Sequence, residues 1–311
     1  MDYLFLVVAL ALIVVGAMLL TDGSVALARR MHIPEFIVGL TVVAVGTSMP
    51  EFTVSMISAI DGLGDMAIGN VVGSNIANTL LILGVCALCS PILFTKSNVR
   101  RDIPLNLATS LVLLLVALTS TVINRVEGII LLLAYVVMMF YSIRNDSKSV
   151  ESGATEESTE AKEMSALRIL VWIVGGLAAL IYGGDMFVDA ATNIAIAWGV
   201  SEAVIAISLV AVGTSLPELA ASLASIFKGS PSIALGNVMG SNVANILLIL
   251  GACSTVSPLA VSGVAMSAIY VTVATAILFM LSAYFIGQRR ITRIEGLLFL
   301  VVYIVYIYSL I

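Results

Sequence analysis

Apolar residues run along this chain in blocks of about 20, the length a helix needs to cross a hydrocarbon layer, and the polar stretches between the blocks are short. The blocks fall near residues 3 to 20, 33 to 60, 66 to 93, 103 to 122, 126 to 143, 168 to 188, 200 to 227, 232 to 253, 263 to 286 and 294 to 311. They predict an all-α membrane protein of ten transmembrane helices. The first block begins at Tyr3 with no basic run before it and no small-residue cleavage site after it, so it is expected to be the first helix and not a removable signal.

Composition agrees with that reading. Of 311 residues, 60% are hydrophobic and 11% charged, more apolar surface than a soluble core of this size can bury. Much of the acid behind the net charge of −5 sits between Glu151 and Glu163, a solvated loop that implies no nucleic-acid partner. Cys86, Cys89 and Cys253 lie inside predicted helices as small apolar residues, and His32, the lone histidine, reads as a solvated loop residue. With no nucleophile and base pair and no metal-ligand cluster of the Cys/His kind, the chain is not expected to be an enzyme. No protein partner is implied.

Basic residues test the helix count, because they accumulate on the cytoplasmic side. With the amino terminus outside, 13 of the 14 Lys and Arg fall inside and only Arg125 outside. Both termini are then outside, and the outer loops carry Asp61, Asp65, Asp189 and Glu202. A multi-pass protein of the plasma membrane is expected, with the lipid bilayer as its surroundings.

Shifting the sequence by 167 residues lays Glu35–Gly84 onto Glu202–Gly251 with 26 identities in 50 positions. The match extends to Asp22 on Asp189 and, at a shift of 168, to Arg125-Val-Glu-Gly128 on Arg293-Ile-Glu-Gly296. Two five-helix halves follow, 1–143 and 168–311, joined by a polar cytoplasmic linker at 144–167. Five is odd, so the second half enters the membrane in the opposite sense, giving an inverted-topology repeat.

The best-matched positions are polar and mid-membrane. The second predicted helix holds Ala44-Val-Gly46-Thr47-Ser48-Met-Pro50-Glu51, and the seventh Ala211-Val-Gly213-Thr214-Ser215-Leu-Pro217-Glu218. A charge there costs about 2.5–3.5 kcal/mol even on lenient insertion scales, so Glu51 and Glu218, with no base at their depth, are expected to be balanced by a bound cation. Pro50 and Pro217 lack an N–H and deprive the Gly46 and Gly213 carbonyls of their helical donors. On helical spacing Ala44, Thr47, Ser48, Glu51, Ser55 and Ser58 share a face, as do Ala211, Thr214, Ser215, Glu218, Ser222 and Ser225. A second oxygen strip comes from Asn70, Ser74 and Asn78 in Gly69-Asn-Val-Val-Gly-Ser74-Asn75-Ile-Ala-Asn78, and from Asn237, Ser241 and Asn245 in its twin. Gly69, Gly73, Gly236 and Gly240 form small-xxx-small patterns that bring helices together. Taken singly, these Asn and Ser residues could equally be interhelical hydrogen-bond glue. Carboxylate, carbonyl, hydroxyl and amide oxygens without sulfur or imidazole select hard cations such as Ca²⁺ or Na⁺.

At these residues the chain resembles the cation/calcium exchanger superfamily, most closely the prokaryotic sodium/calcium exchangers, whose two alpha repeats carry Gly-Thr-Ser-x-Pro-Glu and Gly-Ser-Asn motifs. Both motifs occur twice, at 35–84 and 202–251. The resemblance implies that Glu51 and Glu218, with the Thr47 and Thr214 carbonyls, ligate Ca²⁺ and Na⁺ as transported ions, without an organic cofactor. It further implies that Ala44, Ser48 and Ser74, and Ala211, Ser215 and Ser241, complete flanking sodium sites, that Asn78 and Asn245 border the central one, and that the first and sixth helices slide across the core. The expected activity is antiport of Ca²⁺ against Na⁺ by alternating access. A proton/calcium antiporter of the same superfamily is the alternative, with a cation channel behind it; the paired Ser and Asn oxygens favour sodium. Residue 245 is Asn where relatives commonly have Asp, so exchange without potassium is expected.

Overall fold

The computed structural model describes residues 1–119, 121–151, 164–198, 213–286 and 289–310. Ala211 and Glu202 lie outside them. Eleven helices appear among the described residues: α1 Asp2–Met31, α2 Glu35–Thr47, α3 Met49–Ile60, α4 Gly64–Cys89, α5 Asn98–Thr119, α6 Arg125–Glu151, α7 Ala166–Ala197, α8 Leu216–Phe227, α9 Pro231–Val256, α10 Gly263–Leu281 and α11 Arg293–Leu310. Seven are long and apolar enough to cross a membrane, and the bent pair α2 and α3 brings the number to eight. This is an all-helical membrane protein.

Helices α1 and α7 run for 30 and 32 residues, well past the blocks expected at 3 to 20 and 168 to 188. At 1.5 Å per residue, each exceeds the roughly 30 Å hydrocarbon layer and must tilt or project from it. They lie against each other, and glycine sets the distance: a Cβ on Gly16 would stand 2.8 Å from the Gly176 carbonyl oxygen. α6 continues to Glu151, into the stretch expected as linker.

Four two-residue strands were not foreseen by the all-α expectation. Ile92–Leu93 (β1) pairs antiparallel with Arg290–Ile291 (β4), and Val122–Ile123 (β2) with Leu259–Ala260 (β3). Each is a connection folding back on the other half, satisfying backbone groups at a helix end. Contacts recur in this reciprocal way. Gly84 of α4 meets the Gly296 carbonyl of α11, and Gly128 of α6 meets the Gly251 carbonyl of α9.

The matched Arg-x-Glu-Gly stretches open α6 and α11. Asn124 Oδ1 accepts from the Val126 and Glu127 amides while Glu127 Oε2 accepts from the Asn124 amide; Glu295 Oε2 likewise accepts from the Thr292 amide at 2.7 Å. These are capping boxes, which explains why the motif repeats without belonging to an ion site. His32 is the left-handed C-cap of α1 (φ 53°), not simply a loop residue.

Candidate ion site

The site begins with two broken helices. α2 stops at Ser48 (φ −81°, ψ 9°), α3 starts at Met49 with Pro50 in its first turn, and the two axes are bent by 47°. The second motif repeats this, with Ser215 (φ −89°, ψ 3°) preceding α8 and Pro217 in its first turn. Proline is tolerated there because first-turn amides have no helical partner. Glu51 and Glu218 consequently sit in the first turn of α3 and α8, where the helix dipole favours negative charge.

Both carboxylates are 1% exposed. Ser74 Oγ donates to Glu51 Oε1 at 3.4 Å, and Ser48 Oγ reaches across the halves to Glu218 Oε1 at 3.0 Å. Ser48 Oγ also lies 3.0 Å from Ser241 Oγ, and Ser241 Oγ donates to the Ala44 carbonyl at 3.4 Å. Thr47 Oγ1 donates to Asn237 Oδ1 at 3.2 Å. The structure thus brings Ala44, Thr47, Ser48, Glu51, Ser74, Glu218 and Ser241 together. Thr214 and Ser215 stand at the second break, and among the described residues the Ser215 hydroxyl has no hydrogen-bond partner. Ala211 lies outside the described residues.

Asn70 and Asn237 take the interhelical hydrogen-bond role that their spacing left open. Asn70 Nδ2 donates to the Glu51 carbonyl and to Ser55 Oγ, and Asn237 Nδ2 to the Glu218 carbonyl and Ser222 Oγ. They brace the half-helices that carry the acids.

Asn78 and Asn245 are 1% exposed and lie on π-helical segments, Ala77–Ile82 and Ala244–Leu250. Such wide turns are frequent at functional sites. A third, Gly39–Val43, ends just before Ala44. Asn75 and Asn242, identical in both motifs but given no role by spacing, turn out to hold the halves together. Asn75 Nδ2 donates to the Asn242 carbonyl at 3.1 Å, Asn242 Nδ2 to Thr79 Oγ1 at 3.0 Å, and Asn245 Nδ2 to Asn75 Oδ1 at 2.9 Å. That last bond leaves the Asn245 Oδ1 free.

The oxygens left over define the site's chemistry. Glu51 Oε2, Glu218 Oε2, Asn78 Oδ1, Asn245 Oδ1 and Ser215 Oγ are buried without a hydrogen-bond partner among the described residues. Buried polar atoms are almost always paired, so this cluster needs something to satisfy it. Other buried acids do not share the condition: Asp102 pairs with Arg101 at 2.7 Å, and Glu295 accepts from Ser282 Oγ at 2.5 Å and from its capping amide. Glu51 and Glu218 have no Lys, Arg or His partner among the described residues. Nor do the described residues gather three His, Cys, Asp or Glu as a conventional metal cluster.

Thr21 and Ser24 of α1 are buried, and Thr21 Oγ1 lies 3.3 Å from Ser225 Oγ of α8. On α7, Asp185 falls within the span expected at 168 to 188 but is exposed.

With this geometry the chain matches the family model described as sodium/calcium exchanger protein over residues 1–144 and 168–311. It is 36% identical to a putative antiporter, CaxA, of Alkalimonas amylolytica over 99% of this chain and 98% of that one. It is 32% identical to the sodium/calcium exchanger MaX1 of Methanosarcina acetivorans, covering 98% and 97%. Among solved structures, the sodium-calcium exchanger NCX_Mj soaked with zero Na⁺ and Ca²⁺ superposes with a TM-score of 0.85 at 31% identity, over 100% of this chain and 99% of that one.

Proposed function

The chain belongs to the sodium/calcium exchanger family, as a prokaryotic-type member of the cation/calcium exchanger superfamily, and we propose that it exchanges Ca²⁺ for Na⁺ by alternating access with Glu51 and Glu218 as ligands shared by both ions. One observation carries this reading above the others: two buried carboxylates from opposite halves each keep an oxygen without a partner, among neutral oxygens and away from any base. Two such groups balance one Ca²⁺. The neutral Ser, Thr and Asn oxygens around them suit Na⁺. Thr47 and Thr214 add carbonyls, while Ala44, Ser48 and Ser74 with Ala211, Ser215 and Ser241 form the flanking sodium sites, and Asn78 and Asn245 border the centre.

Ten spans arranged as two inverted halves accommodate this assignment. α2 with α3 makes one span and α11 the last, while the span expected from the apolar block at 200 to 227 lies in part outside the described residues. The reciprocal strand pairs and glycine contacts, offset by 167 or 168 residues, support a two-fold relation between residues 1–143 and 168–311. The family model leaves out 145–167, in agreement with a linker there. The distribution of Lys and Arg supports both termini outside, and the resemblance to prokaryotic exchangers supports the plasma membrane as the location.

The test is calcium uptake into vesicles of the purified protein under an imposed sodium gradient and then a proton gradient, at clamped membrane potential. Saturable uptake driven by sodium alone is expected. Uptake driven only by protons would replace the reading with proton/calcium antiport, and non-saturating flux without a counter-ion would replace it with a channel.

A further inference from the structure

Lys228 follows the last turn of α8, and its Nζ donates to the Asp22 carboxylate of α1 and to the Met18 carbonyl of α1 at 3.0 Å. Both side chains stay partly in water, 37% exposed for Asp22 and 22% for Lys228, at the wall of a cavity of about 530 Å³ that Arg29 and Trp172 also line. One turn deeper, Thr21 meets Ser225. Beyond Ser225 the same face of α8 carries Ser222, which binds Asn237, and then Glu218. A line of oxygen therefore runs from the cavity to the ion ligand, and α1 lies over it. The ion pair is the outermost tie of that seal.

The other end of the molecule lacks the tie. A shift of 167 residues carries Asp22 onto Asp189 of α7 and Lys228 onto Asp61, which ends α3 as Lys228 ends α8. The backbones agree: Gly62 and Gly229, the next residues, both have φ 76°. Yet the equivalent pair is two acids, both exposed, and neither makes an ion pair among the described residues. The packing is unequal in the same sense. α1 lies along α8, whereas α7 and α3 barely meet.

We propose that Lys228 and Asp22 are positioning residues that latch α1 over the oxygen face of α8, and so bias which side of the membrane the ion site opens to. This rests on the alternating-access reading. A pair present in one state and broken in the other shifts their balance by its own free energy, and a contact equal in both states shifts nothing. Lys228 near the C-terminus of α8 also favours the helix dipole, but that interaction is internal to α8 and equal in both states. With the termini outside, the latch lies at the cytoplasmic face and holds the site outward.

The experiment measures access directly. With the native cysteines replaced, Ser225→Cys is labelled from the latch side by a membrane-impermeant thiol reagent in full-length protein in vesicles, with and without Lys228→Ala or Asp22→Asn. Labelling is expected to speed up roughly two- to five-fold in either variant, the range a partly exposed ion pair supplies, and to return toward the starting rate in the charge swap Asp22→Lys with Lys228→Asp. In transport, the half-saturating Ca²⁺ at the latch face should fall by a similar factor and rise by less at the opposite face. Asp61→Lys, which supplies the cation that the equivalent pair with Asp189 lacks, should shift both in the opposite sense. Unchanged labelling, or half-saturation that moves equally at both faces, overturns the latch even where sodium-driven exchange is normal. Faster labelling with no sodium-driven calcium flux in the parent protein supports the latch and sinks the exchange reading instead.

Discussion

Gly240→Ala puts one methyl group where α9 and α2 touch, and the structure gives its cost. An added Cβ would stand 2.3 Å from the Leu40 carbonyl oxygen and 2.7 Å from the Ala44 Cβ, against about 3.4 Å for ordinary contact, so the helices must part by roughly 1 Å. Both neighbours are backbone or a short rigid side chain, so no flexible group can give way. Overpacking of this kind costs about 1–3 kcal/mol of stability. The effect on the site is larger, because the Ser241–Ala44 bond is already 3.4 Å long and the Ser48–Ser241 contact spans the same gap. Stretched by a further 1 Å, the first ceases to be a hydrogen bond, and cation ligands tolerate about 0.2 Å of displacement. Losing one oxygen that acts on a charged group is worth about 1.5–3 kcal/mol, a ten- to hundred-fold rise in half-saturating Na⁺ if Ala44 and Ser241 line a sodium site. The assay is sodium-driven calcium flux of purified protein, with a melting curve to show that it is folded. Gly175→Ala is the control, since no atom lies within 4 Å of a Cβ added there. A folded Gly240→Ala protein with unchanged sodium half-saturation would show that the α2–α9 spacing does not set the site.

Other perturbations separate the roles of the remaining residues. Glu51→Gln and Glu218→Gln should each abolish calcium flux while raising the melting temperature of the ion-free protein, since an uncompensated buried charge is removed; substantial flux in either variant would refute the shared-ligand assignment. Exchange should proceed without potassium, because Glu51 and Glu218 alone match Ca²⁺, and Asn245→Asp should weaken it near neutral pH and make it pH-sensitive; strict potassium dependence of the parent protein would contradict this. Asn75→Ala leaves Asn245 Nδ2 and the Asn242 carbonyl without their partners, so a loss of about 1–3 kcal/mol per orphaned group and weaker ion binding should appear together, and normal melting would show the bridge to be dispensable.

The acids, the prolines and the duplicated motifs were legible in the chain because their chemistry is local. A carboxylate in an apolar run, or a proline four residues after a carbonyl, has the same consequence whatever packs against it. Pro50 duly marks the break at Ser48. What spacing could not provide is the partner across the halves. Asn70 and Ser74 lie one turn apart on α4, yet Asn70 holds the backbone of Glu51 while Ser74 holds its carboxylate. Asn75 is a neighbour of Ser74 in the same motif, but its value comes from Asn242, 167 positions away. The same limit hid the four strands and the seal between Thr21 and Ser225, since pairings between elements leave no period in either one. Arg125-x-Glu-Gly and its twin were visible as a repeat, but only their amide contacts identify them as caps.

Equivalent residues in the two motifs do not make equivalent bonds. Ser48 donates to Glu218, but its counterpart Ser215 has an unpaired hydroxyl; Ser74 donates to Glu51, but its counterpart Ser241 turns to the Ala44 carbonyl. Identical side chains on related backbones differ this way only when the surrounding helices sit differently, and the unequal packing of α1 on α8 and α7 on α3 is such a difference. If the chain works by alternating access as proposed, the opposite state would exchange these roles, with Ser215 reaching Glu51 as Ser48 releases Glu218. Each carboxylate would then keep one hydroxyl donor through most of the cycle while the open oxygens change sides. On that reading the duplicated Ser residues would give each carboxylate a hydroxyl donor in either state, while Glu51 Oε2 and Glu218 Oε2 stay open for a cation.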